Sequence, residues 1–278
     1  MTHPHIHRPL ASGDALFYTW FPAMHTRVDL FWVSRRTEEE NTRLAARIAQ
    51  LLQDICSTAN CFDPKSELSQ LNQTAARCPT EVSERLCRLL RYCQQEHQRT
   101  QGLFDISFAS TPHTSRTLGQ VSLDNHQVHF LQEGIRLNLS GMLKGHALEE
   151  TRRLLTAEDI GCALINMGNS SILATGIPPG KEGWEVTFDP TAWPTAARTE
   201  RIVLKNECLT TSGNDSPHRR HILHPHDGHY VKGHRGVAVI TTDAAEGEVL
   251  STSLFLANEE QQAALRREYQ PRRIVALH

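Results

Sequence analysis

The sequence predicts an α+β fold of mostly antiparallel sheets with packed helices, formed as one compact unit. Three observations lead there. Apolar residues recur at helical spacing in two stretches of the first hundred residues. Short β-type segments, punctuated by glycine and proline, fill most of the second half. The two kinds neither segregate into blocks nor alternate as regular βαβ units. With 278 residues the chain can bury a sizeable core.

Residues 1–19 read as a flexible N-terminal arm, and residues 20–278 as the folded domain. "TRVDLFWVS" (26–34) is β-rich with partial alternation and predicts a strand. Thr37 and Glu40 make a capping box, and behind it Leu44, Ile48, Leu51 and Ile55 form one apolar helical face. Val82, Leu86, Leu89 and Cys93 repeat that spacing in a second helix, which Gly102 is placed to end. Two short strands follow, "QVHFL" (127–131) and "IRLNL" (135–139), joined by a glycine-containing turn. A third helix is expected from near Lys144 to about Thr156. "CALINM", "SSILATG", "WEVTF", "RIVLK", "HILHP" and "GVAVITT" continue as β text. A helix near 246–257 and a terminal strand, "RRIVAL", finish the chain.

Composition excludes several classes. The apolar fraction of 39% and charged fraction of 22% are those of an ordinary globular protein. A net charge of −2 argues against a nucleic-acid or anionic-membrane surface. No apolar run approaches the roughly 20 residues of a spanning helix. "MTHPHIHRPL" lacks the apolar stretch of a secretory signal, and seven cysteines without a CxxC pair point to reduced thiols. The expectation is a cytoplasmic protein with neither nucleic acid nor membrane as partner.

Several stretches carry residue types that packing alone does not demand. "FDPKSELSQLN" (62–72) reads as a turn-like segment with an acid and two hydroxyls. "GLFDIS" (102–107) sets Asp105 among apolar neighbours, as a helix-end cap or a site residue. "LNLSGMLKGHALEE" (137–150) leaves a strand through Ser140–Gly141 and enters a helix at Lys144–Gly145. Small residues there let backbone amides approach an anion, although an ordinary strand–helix turn looks similar. In "EVLST" (248–252), Glu248 and Thr252 are four apart and share one helical face. They offer hard oxygen ligands of the kind Mg²⁺ takes beside phosphate and water. The competing reading is a solvated helix face with Thr252 bonded to its own backbone.

"HRRHILHPHDGH" (218–229) holds five histidines in twelve residues. In an extended strand His221 and His224 point to opposite faces and are poor partners for one tetrahedral metal. Pro225 keeps His224 extended, and "PHDG" reads as a turn with Gly228 free to take positive φ. His224, His226 and His229 could still converge around that turn on zinc. The other reading has one working histidine among surface neighbours.

In order and spacing, eight stretches resemble the ApbE family, the Mg²⁺-dependent FAD:protein FMN transferases. They are "AMHT" (23–26), "FDPKSELSQLN", "GLFDIS", "LNLSGMLKGHALEE", "INMGNSSILATG" (165–176), "LTTSGN" (209–214), "HILHPHDG" (221–228) and "EVLSTSLF" (248–255). They cover about residues 20–258. The resemblance implies a two-lobed, T-fold-like α+β unit holding FAD in a cleft. It implies transfer of FMN from FAD onto a threonine or serine hydroxyl of an acceptor flavoprotein, releasing AMP. Met24, Phe62, Leu103, Phe104, Asp105, Lys144, Glu149 and Ile222 would border FAD. His221 would be the base on the acceptor hydroxyl. Glu248, Thr252 and the Ser251 carbonyl would hold Mg²⁺.

This chain departs from the family pattern at five places. Gly168-Asn169-Ser170 stands for Gly-Gly-Asp, His224 for an aspartate before proline, and Asp227 for a threonine before glycine. Glu149 and Glu248 each stand for aspartate. These changes leave open an FAD-binding protein or an FAD pyrophosphatase as alternatives. "LTTSGN" does not match the D-G-x-[ST]-G-A-T acceptor type, so no self-acceptor is expected.

Overall fold

In the computed structural model of the protein, residues 3–112, 114, 117–216, 222–225 and 228–278 are described. The first elements are β1 (His5–Pro9), β2 (Ala15–Ala23), β3 (Thr26–Ser34), α1 (Glu38–Ala59), α2 (Glu67–Thr74), β4 (Thr80–Glu81) and α3 (Glu84–Arg99). A 3-10 turn at Leu118–Gln120 leads to β5 (Val121–Asp124), β6 (Gln127–Phe130) and α4 (Ser140–Ala157). Then come β7 (Cys162–Met167), β8 (Ser171–Thr175), β9 (Trp184–Val186), α5 (Pro194–Thr199), β10 (Ile202–Leu204) and β11 (Glu207–Asn214). The chain closes with β12 (Arg235–Thr241), α6 (Ala244–Leu256), α7 (Glu259–Tyr269) and β13 (Arg273–Leu277).

Eight of these strands form one sheet in the order β1-β2-β3-β7-β8-β11-β12-β13, antiparallel at every pairing. Successive residues face opposite sides, and both sides are covered. From β3, Val28, Leu30 and Trp32 join Leu44, Ile48, Leu52 and Ile55 of α1 in one core. Phe31, between them, packs into a second core with Trp184, Phe188, Trp193 and Ile202. The expected two lobes are these two layers on one sheet.

The α1 capping box forms as predicted, with Thr37 accepting from Glu40 N and the Glu40 carboxylate accepting from Thr37 N. Leu52 rather than Leu51 fills the buried position between Ile48 and Ile55 on that helix, and Leu51 is half-buried. Gly102, at φ +83°, ends α3 by donating its N–H to the His97 carbonyl at 2.8 Å.

Four expectations are corrected. Residues 5–9 and 15–23, read within or across a flexible arm, are paired strands at the sheet edge. Residues 135–139 join no sheet. Leu137 N and O bond the Asn72 side chain, Arg136 N bonds Ser110 Oγ, and Asn138 N bonds the Ile106 carbonyl. Side chains and a loop thus satisfy the groups a neighbouring strand would have taken. The second half of "FDPKSELSQLN", read as turn-like, lies in helix α2, capped by Ser66. The described part of "HILHP" makes only an isolated bridge, Leu223 to Tyr230.

Candidate active site

The antiparallel register brings three chain turns to one end of the sheet. There β2 passes to β3 at Met24–His25, β7 passes to β8 at Gly168–Ser170, and β11 ends at Asn214. Ala23 pairs with Thr26, so Met24 and His25 alone make the turn, at φ +53° and +59°. This is the left-handed geometry of a type I′ hairpin, usually occupied by asparagine and glycine. Each non-glycine residue there costs about 1 kcal/mol or more. Gly168, at φ +64°, lies so close to this turn that a Cβ would fall 2.2 Å from Thr26 Oγ1.

Two helices, α4 and α6, bring side chains to the same end. Gly145 lets α4 cross the start of α6, since a Cβ would meet the Ala244 carbonyl oxygen at 2.3 Å. Gly247 likewise lets α6 lie on β11 and β12, against Thr210 and Thr241. Leu139 at the cap position of α4 offers no side-chain acceptor, Asn138 Oδ1 accepts from Ser140 N at 2.9 Å, and Asn138, Ser140 and Gly141 line a cleft. Lys144, one turn on, donates to the Ser170 hydroxyl and lies 4.0 Å from the Glu248 carboxylate. An open helix N-terminus beside an ammonium is an anion-binding arrangement.

The cleft holds about 640 Å³. One wall is the α4 start with Leu103–Asp105, and the opposite wall is Phe188, Asp189 and Trp193 from the second layer. Glu248 and Thr252 of α6 look into it, as does Ser212 of β11. Glu248 is only 4% exposed and accepts from the Ser171 hydroxyl at 2.5 Å. Burial pushes its carboxyl above the usual range, while Lys144 and the Ser171 bond pull it down. Thr252 Oγ1 lies 2.9 Å from Ser212 Oγ. The Glu248–Thr252 pair is therefore part of the cleft wall, with Glu248 buried and Thr252 half-buried, and not a solvated face.

Of the residues singled out in the sequence, Met24, Leu103, Phe104, Asp105, Lys144, Ile222, Glu248 and Thr252 line this cleft together. Asp105 folds back on its own loop, accepting from Ser107 N at 2.7 Å and Ser107 Oγ at 2.6 Å. Phe62 stands outside the lining, 67% exposed and edge-on to His25. Glu149 is also outside it. Its carboxylate accepts from Ala244 N at 2.7 Å and pairs with Arg152, so it fastens α4 to the first turn of α6. Desolvation raises its pKa against those two partners. Ser251 is buried, its hydroxyl 2.8 Å from Ser212 Oγ. His221 and His226 lie outside the described residues.

Ser171, Thr211 and Ser212 fall within the quoted stretches "INMGNSSILATG" and "LTTSGN" but carry no site role in the sequence reading, and Trp193 lies outside every quoted stretch. The Thr211 hydroxyl is buried in the cleft wall with no hydrogen-bond partner among the described residues. One carboxylate and one adjacent hydroxyl on α6, those of Glu248 and Thr252, suit a hard cation that phosphate oxygens help to hold. Among the described residues no three His, Cys, Asp or Glu side chains are placed to hold a metal ion by themselves. No described helix is long and apolar enough to cross a membrane.

Comparison with known proteins follows the same outline. The sequence profile of the ApbE family matches residues 24–116 and 109–277. An FAD:protein FMN transferase of Klebsiella pneumoniae (strain 342) is 23% identical over 255 residues, covering 80% of this chain and 78% of that protein. One from Treponema pallidum (strain Nichols) is 27% identical over 164 residues, 52% of this chain and 44% of that protein. The solved structure of a flavin transferase ApbE from Vibrio cholerae has the same fold. It superposes with a TM-score of 0.80 at 16% identity, over 98% of this chain and 94% of that one.

Proposed function

The chain belongs to the ApbE family, and on that premise we propose that it transfers FMN from FAD to a threonine or serine hydroxyl of an acceptor flavoprotein. The observation that supports this most is one cleft faced by an open helix N-terminus, Lys144 and the Glu248–Thr252 pair. Phosphates and a cation need those groups together. The aromatic and apolar wall of Met24, Phe104, Phe188 and Trp193 suits planar rings.

In this reading the Gly141 N–H at the α4 start and Lys144 bind the pyrophosphate. Glu248 and Thr252, with the Ser251 carbonyl, would hold Mg²⁺, which supplies screening of the phosphate charge. The acceptor oxygen bonds to the phosphorus on the flavin side as the bond from that phosphorus to the bridging oxygen breaks. The bridging oxygen leaves with AMP. The hydroxyl proton passes to a base, the role assigned to His221, whose imidazole class titrates near neutrality. The seven free thiols suit a reducing compartment, and the reading places the reaction in the cytoplasm.

The test mixes the protein, FAD, Mg²⁺ and a peptide of the D-G-x-[ST]-G-A-T type, followed by intact mass and AMP release. One FMN should join the peptide for each AMP formed. His221→Ala should slow transfer about 10²–10⁴-fold, the range of general-base assistance, and still bind FAD. AMP and free FMN without a peptide adduct would instead identify a pyrophosphatase, and bound, unaltered FAD a binding protein.

A further inference from the structure

We infer that the His25 imidazole is a stacking surface at the mouth of the cleft for one of the two planar rings of the dinucleotide. This rests on the reading above that FAD occupies the cleft. His25 is the second residue of a two-residue turn, at φ +59°, where glycine or asparagine meets no strain. The fold obtains nothing visible in return. The ring is exposed, lines the cleft, and meets Phe62 edge-on, with centroids 6.4 Å apart at 88°. Phe62 is itself 67% exposed on the loop between α1 and α2, where its N–H is held by Asn60 Oδ1 at 3.1 Å.

Two mutually perpendicular rings therefore project at the mouth without a core to fill. Across the cleft, Phe188 and Trp193 offer a second aromatic patch, with Trp193 backed by the His234 ring at 4.9 Å. A ligand with a planar ring at each end of a pyrophosphate matches two separated aromatic patches with the anion-binding α4 start also in the cleft lining. A strained backbone that holds an aromatic side chain at a binding site is the pattern of strain kept for function.

The experiment compares the parent with His25→Gly, His25→Asn and His25→Phe by thermal unfolding without ligand and by titration with FAD, riboflavin and AMP. His25→Gly should unfold at a higher temperature, because glycine relieves the positive φ. It should bind FAD about 5- to 100-fold more weakly, the range for losing one ring stack. His25→Asn, which tolerates the same backbone but has no ring, should bind as weakly as His25→Gly. His25→Phe should restore affinity to within a few-fold. The fragment whose affinity falls with the ring, riboflavin or AMP, identifies the ring that stacks. If His25→Gly or His25→Asn binds FAD like the parent, or His25→Phe fails to restore binding, the inference alone is overturned. A parent that binds no FAD overturns the transferase reading and this inference with it.

Discussion

Glu248 shows how far one residue's environment can differ from its place in a motif. Its spacing from Thr252 is visible in the sequence, but that spacing fits an exposed helix face equally well. The structure instead buries the carboxylate between the Ser171 hydroxyl and Lys144, at the end of a sheet. A buried carboxylate with one ammonium 4.0 Å away is not there for stability, because desolvation offsets most of the attraction. Glu248→Gln keeps the shape and removes the charge. Its unfolding temperature should match or exceed the parent's, while activity at limiting Mg²⁺ should fall by about 10²-fold or more. That magnitude follows from several kcal/mol of cation-derived stabilisation at about 1.4 kcal/mol per factor of ten. An unchanged rate at limiting Mg²⁺, measured by AMP release, would place the metal elsewhere.

At the scale of elements, the same sheet explains which segments were legible. Thr26–Ser34 is legible from partial alternation, with Val28, Leu30 and Trp32 going into the α1-side core, and Cys162–Met167 as a short, mostly apolar run between Gly161 and Gly168. β2 was missed because aromatic residues face both ways, Phe17 and Phe21 inward and Tyr18 and Trp20 outward. β1 was missed because its inward positions are His5 and His7, not apolar residues. Residues 135–139 alternate convincingly, yet Asn72 and Ser110 take their backbone bonds. The approach of α4 and α6 through Gly145, and Glu149 holding the Ala244 N–H, depend on residues far apart in sequence. Such long-range placement leaves no periodic signal. Edge strand β1 carries its own pH dependence. His5 Nε2 lies 2.9 Å from Glu38 Oε1, and that hydrogen bond raises the His5 pKa above the usual 6.5. A raised histidine pKa stabilises the fold fully below 6.5 and loses that contribution as pH climbs through the raised value. Relative to His5→Gln, the parent should therefore hold a stability advantage that is larger at mildly acidic pH and shrinks above neutrality. Thermal unfolding of both proteins across that range checks it, and a pH-independent gap would assign the His5 contribution to its stacking on Phe17 instead.

For the whole molecule, the decisive feature is that the cleft belongs to neither layer alone. The α4 start, Leu103–Asp105 and α6 come from the side of α1 and α6, and Phe188 to Trp193 from the opposite side of the sheet. A ligand long enough to span both walls links the two cores, and its binding free energy opposes their separation. Riboflavin presents one ring system and no phosphate, so it cannot engage Lys144, the α4 start and both aromatic patches together. FAD should therefore bind more tightly than riboflavin, and at about 100 times its Kd should stabilise the fold by about 2.7 kcal/mol through mass action. If Glu248 and Thr252 hold a cation as proposed, chelation of divalent cations should weaken the FAD effect and leave the riboflavin effect unchanged, because riboflavin has no phosphate to share it. Fluorescence quenching gives the two affinities, and thermal unfolding with and without chelator gives the coupling. Equal affinity for riboflavin and FAD would mean that the α4 start and Lys144 do not bind phosphate, and the nucleotide half of the cleft would have to be assigned to another ligand.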